Sequence, residues 1–267
     1  MKWQLTASQG SDAVLDTGPF DIYVETYQSN APLPRESVVL TRTRLSYGAV
    51  DKAENGFIFK GCVNTSSIMN FFQKHERTYL LALVFILYIG GYLVVNYLSV
   101  GREASTLEIA LDSVIPFLPW FVIPYIFVYI VAFLPYFFIK DNSTFRSVAL
   151  TYTITTLIAY TIFLVFPVIM NRPSSISTQG IGAMVNLIYS IDFPYNSFPS
   201  LHVMYAFLPA FMLLKDYKIA GSITLVVAIL IAFSTVFIKQ HYILDVVGGI
   251  VLAGMGYGLY LFLTTKK

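Results

Sequence analysis

An all-helical bundle of six transmembrane helices, preceded by a short polar N-terminal segment, is the fold that this sequence predicts. Of its 267 residues, 56% are hydrophobic and only 12% are charged, whereas about 25% of the residues in a soluble domain are charged. From Tyr79 onward, six apolar segments follow one another, most of them close to the ~20 residues that a helix needs to cross a bilayer. The net charge is +2 and no basic run occurs, so nothing predicts binding to nucleic acid.

Residues 1–70 differ from the rest because they mix charges of both signs and contain no apolar run long enough to span a membrane. We interpret them as a weakly structured polar tail on the cytoplasmic side, or as the result of a start assigned too far upstream of Met69. Residues 71–267 then form one transmembrane domain. The single cysteine, Cys62, excludes an intramolecular disulfide and a cysteine-based zinc site.

The six apolar segments cover residues 79–100, 116–139, 147–170, 200–214, 219–238 and 241–263. Prolines at positions 116, 119, 124 and 135 predict that the second segment is bent. The fourth segment is short and has His202 at its start, which indicates a helix that begins at an interface or in a cavity. Five glycines give the sixth segment a face for close packing, with Gly254 and Gly258 in G-x-x-x-G spacing.

The basic residues that flank the segments predict the orientation of the chain, because cytoplasmic loops carry an excess of lysine and arginine. Eight of them flank one side and three flank the other: Lys74, Arg77, Lys140, Arg146, Lys215, Lys218, Lys266 and Lys267 against Arg102, Arg172 and Lys239. Both termini are therefore predicted to be cytoplasmic. The loops before the fourth and sixth segments, with His202 and His241, then lie together on the non-cytoplasmic face.

Two of the three histidines, His202 and His241, lie where a polar loop enters an apolar segment. Asp245 follows His241 by four residues, so the two side chains share one face of a helix. An ionisable group at membrane depth costs about 2.5–3.5 kcal/mol on insertion scales, and such groups usually have a partner and a function. We therefore take these three residues as the candidate catalytic set.

The residue types in this set suit phosphoryl transfer without a metal. Asp245 can accept a hydrogen bond from one ring nitrogen of His241, which leaves the lone pair of the other free to attack. His202 can protonate a departing oxygen and later take a proton from water. Arg172 offers a donor fork that suits phosphate, and Ser200 is a candidate N-cap of a helix whose first amides would face an anion. A metal site is disfavoured, because His202 is the only further ligand.

Three stretches on the predicted outer face carry a family resemblance: Asn171-Arg172-Pro173, Phe198-Pro199-Ser200-Leu201-His202, and Ser234-Thr235-x5-His241-x3-Asp245. In order and position they resemble the motifs K-x6-R-P, P-S-G-H and S-R-x5-H-x3-D of the type 2 phosphatidic acid phosphatase superfamily. The resemblance implies an integral membrane enzyme without a cofactor that acts on a phospholipid or prenyl phosphate. His241 would form a phosphohistidine, Asp245 would orient it, His202 would serve the leaving group, and Arg172 and Ser200 would bind phosphate.

The chain departs from these motifs at three positions. Val165 stands at the lysine of the first motif, Leu201 at the glycine of the second, and Thr235 at the arginine of the third. Losing one preorganised donor costs about 2.7–4 kcal/mol in the transition state, so Lys239, Asn171 or another group should substitute, or the substrate should carry less charge. We include Lys239 and Thr235 among the candidate phosphate-binding residues, although an interfacial position would also explain Lys239.

The form of the second and third motifs is similar to the branch that includes inositol phosphorylceramide synthases, which transfer a head group from a phosphodiester lipid. A diester has one negative charge and needs fewer cations. The leading prediction is a lipid phosphatase, with head-group phosphotransfer as the first alternative. A non-catalytic lipid-phosphate binder, or a transporter with His241 and Asp245 as a proton relay, is the other alternative. Asp112, Glu108 and Arg102 are interpreted as ordinary loop charges, and Asp192 as a solvated loop residue or one that orients His202 or an acceptor hydroxyl.

Overall fold

The computed structural model describes residues 13–16, 21–24 and 65–265, with side chains from residue 74. The chain divides into two units, Met1–Glu76 and Arg77–Lys267. In the first unit, strands β1 (Ala13–Asp16) and β2 (Asp21–Val24) pair antiparallel, with Ala13 opposite Val24. Most of the predicted polar tail, residues 1–70, lies outside the described residues, and its role stays a prediction.

All the elements described from residue 65 onward are helical. They are α1 (Thr65–Phe85), a π-helical stretch (Ile86–Gly91), α2 (Tyr92–Ser99), α3 (Ala110–Val114), a 3₁₀ turn (Pro119–Phe121), α4 (Val122–Ile126), α5 (Val128–Val131), α6 (Leu134–Phe138), α7 (Asn142–Val165), α8 (Ile181–Ile191), α9 (Leu201–Asp216), α10 (Lys218–Phe237) and α11 (Ile243–Thr265). The predicted helical architecture is confirmed.

The predicted number of six spans is not confirmed. Four helical stretches within residues 65–265 are long and apolar enough to cross a membrane: Lys74–Ser99, Asn142–Val165, Lys218–Phe237 and Ile243–Thr265. The second apolar segment is divided into α4, α5 and α6, because each internal proline removes an N–H donor and clashes with the preceding turn. The fourth is the 16-residue helix α9, which spans only about 24 Å.

Helix α9 lies at the centre of the bundle. Its burial on all sides explains why so short a helix is stable there. Its residues from Leu201 to Ala210 are all buried, and it packs between α10 and α11. On another side, Tyr205 stacks on Tyr88, with ring centroids 3.8 Å apart, and donates or accepts a hydrogen bond at 2.7 Å with Thr156. A helix that is apolar all round is typical of such a buried position.

Glycine in α11 allows it to approach α9 closely. A Cβ atom at Gly249 would lie 2.5 Å from the carbonyl oxygen of Ser200, and one at Gly256 would lie 3.2 Å from the side chain of Leu208 in α9 and 2.7 Å from that of Thr155 in α7. The close approach is therefore made at these two glycines. At Gly254 and Gly258, which carry the G-x-x-x-G spacing, an added Cβ atom would meet no atom within 4 Å in the described part of the chain.

Three long-range hydrogen bonds bring the loops at one end of the bundle together. The amide of Ser200 donates to the carbonyl of Asp245 at 3.0 Å, which joins the starts of α9 and α11. The amide of Leu118 donates to the carbonyl of Phe237 at the end of α10, at 2.9 Å. The amide of Ile243 donates to the carboxylate of Asp112, also at 2.9 Å. The segment before α4 and the turn between α10 and α11 are therefore fixed to each other.

Candidate active site

The turn between α10 and α11 positions His241. The amides of Gln240 and His241 both donate to the carbonyl of Thr235, at 2.8 and 3.1 Å, so the chain reverses around the last turn of α10. Lys239, within this turn, has a φ of 53°, a left-handed conformation that residues other than glycine adopt uncommonly. The reversal leaves His241 two residues before α11, with its side chain 9% exposed.

Asp245 lies in the first turn of α11 and contacts His241 as the spacing predicted. Its Oδ2 atom accepts a hydrogen bond from the amide of Tyr242 at 2.8 Å and lies 3.5 Å from Nδ1 of His241. The second distance exceeds that of a normal hydrogen bond, and catalytic contacts are often long in the free enzyme and shorten in the complex. Asp245 Oδ1 is buried and has no hydrogen-bond partner among the described residues.

His202 lies at the start of α9 in an aromatic environment. The hydroxyl of Ser200 accepts a hydrogen bond from the amide of Val203 at 3.3 Å, so Ser200 is the predicted N-cap. The ring of Tyr125 stacks on the imidazole with centroids 4.3 Å apart, and its hydroxyl lies 3.5 Å from His202 Nδ1. The ring of Tyr129 meets it edge-on at 6.2 Å. Nε2 of His202 is buried and without a hydrogen-bond partner in the described part of the chain.

The two imidazoles face each other across a short gap. Their ring centroids are 6.2 Å apart and their planes are inclined by 55°. Reacting atoms approach to about 3–3.5 Å before a bond forms, so a gap of this size fits a single phosphoryl group between the two rings. The predicted association of His202, His241 and Asp245 at one end of the bundle is therefore observed, although their chemical roles stay predictions.

Arg172 is held beside this gap by several contacts. Its guanidinium donates to the backbone carbonyl of Asp192 at 2.6 Å and to the side-chain oxygen of Gln240. It also lies 3.8 Å from the Asp192 carboxylate and 4.3 Å above the ring of Tyr189. Because Gln240 directly precedes His241, these contacts place the guanidinium next to the turn that carries the candidate nucleophile.

Asp192 is not the solvated loop residue of the first interpretation. Its side chain is only 16% exposed, and it accepts a hydrogen bond from the hydroxyl of Tyr92 at 2.6 Å. Burial raises the pKa of the Asp192 carboxyl, and the guanidinium of Arg172, the Tyr92 hydroxyl and His241 oppose this change. Asp192 therefore supplies a partly buried negative charge beside Arg172.

The donor groups of two other candidate phosphate-binding residues, Lys239 and Thr235, already have hydrogen-bond partners within the protein. The ammonium of Lys239 donates to the carbonyls of Asp112 and Ile115 at 3.1 and 2.7 Å. The hydroxyl of Thr235, which is fully buried, donates to the carbonyl of Ala232 at 2.8 Å. In the observed state both groups hold the protein's own backbone, and a role for them in phosphate binding stays a prediction.

Sequence reasoning missed Asp112, whose interpretation as an ordinary loop charge is wrong. The side chain is 5% exposed, and its two oxygens accept hydrogen bonds from the amides of Ile243 and Ile109, each at 2.9 Å. It therefore satisfies an orphan amide at the start of α11, which a helix otherwise leaves unpaired. The partner lies 131 positions away in the chain, so no local pattern could have revealed the contact.

Gln240 and Tyr125 were also missed, since neither residue type at these positions signals chemistry by itself. Gln240 directly precedes a candidate nucleophile, and Tyr125 carries a hydroxyl within a proline-rich apolar segment. These positions are the signals that could have drawn attention to them. Within the described residues, no group of three or more His, Cys, Asp or Glu side chains is arranged to hold a metal ion.

Comparison with known protein families gave one match. The family model described as the PAP2 superfamily matches residues 108–259, which is more than half of the chain and includes the seven candidate site residues from Arg172 to Asp245. No curated protein and no solved structure matches the chain. Members of this superfamily are typically phosphatases or phosphotransferases that act on lipid phosphates, and its motifs are the ones on which the resemblance was based. The chain belongs to the PAP2 superfamily, the type 2 phosphatidic acid phosphatases and their relatives.

Proposed function

We propose that this protein cleaves a lipid phosphate ester at the non-cytoplasmic face of a membrane, without a metal, through a phosphohistidine on His241. The observation that carries the proposal is the pair of imidazoles 6.2 Å apart, one of them 3.5 Å from a carboxylate one helical turn further on. A nucleophile, an orienting group and a second proton carrier around one gap are what phosphoryl transfer needs.

The proposed reaction requires a neutral His241 and a proton on His202 when the lipid phosphate is bound. The free nitrogen of His241 attacks phosphorus and forms a P–N bond, while the bond from phosphorus to the leaving oxygen breaks. His202 donates its proton to that oxygen, so the leaving group departs as an alcohol. The negative charge of Asp245 stabilises the positive imidazole ring that forms on His241.

The second half of the reaction reverses the proton transfer. His202, now neutral, takes a proton from water or from an acceptor alcohol, whose oxygen attacks phosphorus and breaks the P–N bond. Arg172 and the first amides of α9, beyond the Ser200 cap, would bind the non-bridging oxygens in both steps. Water as the acceptor makes the protein a phosphatase, and an alcohol makes it a phosphotransferase.

The charge of the site favours the second candidate, transfer of a head group from a phosphodiester lipid. Arg172 is paired with Asp192 at 3.8 Å, and Lys239 donates to two backbone carbonyls. Val165 and Thr235 stand where the family motifs have lysine and arginine. A site with so little net positive charge suits a monoanionic diester better than a dianionic monoester. A diester substrate is also what the resemblance to the inositol phosphorylceramide synthase branch implies.

One experiment tests the function and separates the two acceptors. The purified protein is incubated with a panel of phospholipids and prenyl phosphates, with and without an acceptor alcohol, and the products are identified by mass spectrometry. We expect a dephosphorylated lipid with water alone, or a new head-group lipid that forms only with the alcohol. Chelation of divalent cations should leave the rate unchanged. No product with any lipid, together with no acid-labile phosphate on the protein, would support the non-catalytic alternative.

The orientation is tested separately by cysteine labelling in intact cells. With Cys62 replaced by serine, Ser175→Cys introduces a single exposed thiol in the loop after Arg172. We expect a membrane-impermeant thiol reagent to label it from outside. Asn142→Cys, exposed at the start of α7, is the matched control and should be labelled only after permeabilisation. The reverse labelling pattern would mean that the site faces the cytoplasm and that the termini lie on the non-cytoplasmic side.

A further inference from the structure

Gln240 stands out among the buried polar residues because only one end of its carboxamide has a partner. The residue is 3% exposed. Its oxygen accepts a hydrogen bond from the guanidinium of Arg172, whereas its nitrogen is buried and has no hydrogen-bond partner among the described residues. A buried donor without an acceptor is unfavourable, so such a group in a functional site indicates that a ligand completes its hydrogen bonding.

The direction of this carboxamide is fixed by chemistry. The oxygen and nitrogen of a glutamine side chain are easily interchanged in a structure, but a guanidinium only donates and has no acceptor atom. The atom of Gln240 that faces Arg172 must therefore be the oxygen. It follows that the NH₂ group, with its two donors, is the end that remains free.

The position of Gln240 in the chain links it to the reacting centre. Gln240 precedes His241 directly, and the amides of both residues donate to the same carbonyl, that of Thr235. The carboxamide also contacts Arg172, the candidate phosphate-binding cation. Gln240 is thus the described side chain that joins the phosphate-binding arginine to the turn of the nucleophile.

Other residues that could replace the missing motif cations are engaged elsewhere. Lys239 donates to two backbone carbonyls, and the side-chain NH₂ group of Asn171 donates to the Glu108 carboxylate at 3.4 Å on the exposed surface. The Thr235 hydroxyl donates within its own helix, and Val165 is apolar and 79% exposed. Of these candidate substitutes and Gln240, only Gln240 combines burial with a donor that has no partner.

We infer that Gln240 is a phosphate-binding residue, whose NH₂ group donates to a non-bridging oxygen of the lipid phosphate while its oxygen holds Arg172. The inference rests on the proposed function and deepens it, because it names a neutral donor that acts in place of the cations missing at Val165 and Thr235. Two N–H groups and a guanidinium then form one continuous donor surface. A neutral donor binds an anion without adding charge, which is consistent with a site that takes a single negative charge.

Two substitutions separate a donor to phosphate from a residue that only holds Arg172. Gln240→Leu removes both ends of the carboxamide, whereas Gln240→Glu keeps an oxygen for Arg172 and replaces the NH₂ donors with an acceptor. Orthovanadate, which mimics phosphate, is titrated into the full-length detergent-purified proteins by calorimetry. We expect the affinity to fall about 10- to 100-fold in Gln240→Leu, as for a lost hydrogen bond to a charged group, and further in Gln240→Glu.

The matched controls are Gln179→Leu and Gln179→Glu, at an exposed glutamine in the loop before α8, which should leave vanadate affinity unchanged. Thermal unfolding of each variant shows whether it is folded. Wild-type affinity in Gln240→Glu would mean that the residue only holds Arg172, and wild-type affinity in Gln240→Leu, or no vanadate binding by the wild-type protein, would also overturn the inference. Trapping of phosphohistidine in the wild-type protein tests the proposed function independently of these results.

Discussion

The starts of helices α9 and α11 each present a histidine to the same gap, but they surround it with different chemistry. At α9, His202 stacks on the ring of Tyr125 and meets that of Tyr129. At α11, His241 has the carboxylate of Asp245 at 3.5 Å and belongs to a turn that contacts Arg172 through Gln240. The environment of His241 can stabilise a positive ring by a negative charge, and the environment of His202 offers no carboxylate at such a distance in the described contacts.

This difference suggests how the two histidines divide the work. A phosphohistidine carries its charge through a whole half-reaction, so its ring benefits from a permanent counter-ion. A proton carrier must gain and lose its proton with similar ease, and a carboxylate beside it would hold the protonated form. The two starts also differ in how they are capped, since α9 uses its own Ser200 and α11 uses Asp112 from the distant helix α3.

Removal of either imidazole gives the largest expected effect and distinguishes the two directly. His241→Ala should abolish turnover and the acid-labile phosphate on the protein, because no atom is left to form the P–N bond. His202→Ala should lose most of the turnover, by about 10²–10⁴-fold for a lost general acid. Activity on an activated leaving group such as a nitrophenyl ester should recover in the His202 variant only, because that leaving group needs no proton.

The measurement is the rate of product formation with each substrate, together with mass spectrometry of the trapped protein. If the His202 variant lost the labelled phosphate and the His241 variant kept it, the assignment of the two roles would be reversed.

Asp245→Asn tests whether the carboxylate is what sets His241 apart from His202. The amide keeps an oxygen that can accept the hydrogen bond from the Tyr242 amide, so the start of α11 should stay intact. It removes the negative charge beside the ring, and we expect kcat to fall about 10²–10⁴-fold, as for loss of an orienting carboxylate. The thermal unfolding midpoint should change little. A variant with wild-type kcat would show that the carboxylate serves only as a helix cap.

The local part of this site could be predicted from the sequence. The four-residue spacing predicted that His241 and Asp245 lie close together, although His241 precedes α11 and does not share its face. The Ser200 cap followed from its position before an apolar segment. That His202 and His241 lie at one end of the bundle followed from the distribution of lysine and arginine. Each of these inferences needed only the neighbouring residues or the order of the segments.

The remaining contacts depend on tertiary packing, which no local pattern encodes. Arg172 and Gln240 are 68 positions apart in the chain, and Asp112 and Ile243 are 131 apart. The proline pattern indicated a bend in the second segment, but it could not reveal that α10 packs against α4 and α5. Burial of α9 within the bundle likewise allows it to be shorter than a lipid-facing helix, so helix length alone does not confirm the predicted count of six spans.

Asp112→Ala tests the difference in capping between the two helix starts. Without its carboxylate, the amide of Ile243 loses its acceptor, and we expect a loss of about 0.5–2 kcal/mol in the free energy of unfolding, as for other cap deletions. Because Ile243 is two residues after His241, kcat should also fall, by about 10-fold. Ser113→Ala, at the exposed neighbouring position, is the control and should change neither quantity. Chemical denaturation and product formation measure the two effects.

An Asp112 variant that lost stability but kept wild-type kcat would show that the start of α11 is set by Asp245 and the Thr235 carbonyl alone. The distant cap would then belong to the fold and not to the site.

Tyr125 gives the smallest expected effect and tests the aromatic side of the comparison. Tyr125→Phe keeps the ring that stacks on His202 and removes a hydroxyl 3.5 Å from its Nδ1, a distance at which a hydrogen bond is weak. We therefore expect kcat to fall only about 2- to 5-fold. Tyr125→Leu also removes the stacked ring and should reduce kcat by up to about 10-fold, since aromatic pairs contribute about 0.5–1.5 kcal/mol beyond their burial. Tyr129→Phe, which keeps the ring that meets His202 edge-on and removes only a hydroxyl, is the control. Equal losses in the Phe and Leu variants would mean that the hydroxyl, and not the ring, holds His202 in place. Both histidines would then be held by a polar group, and the contrast between an aromatic and a charged environment would fail.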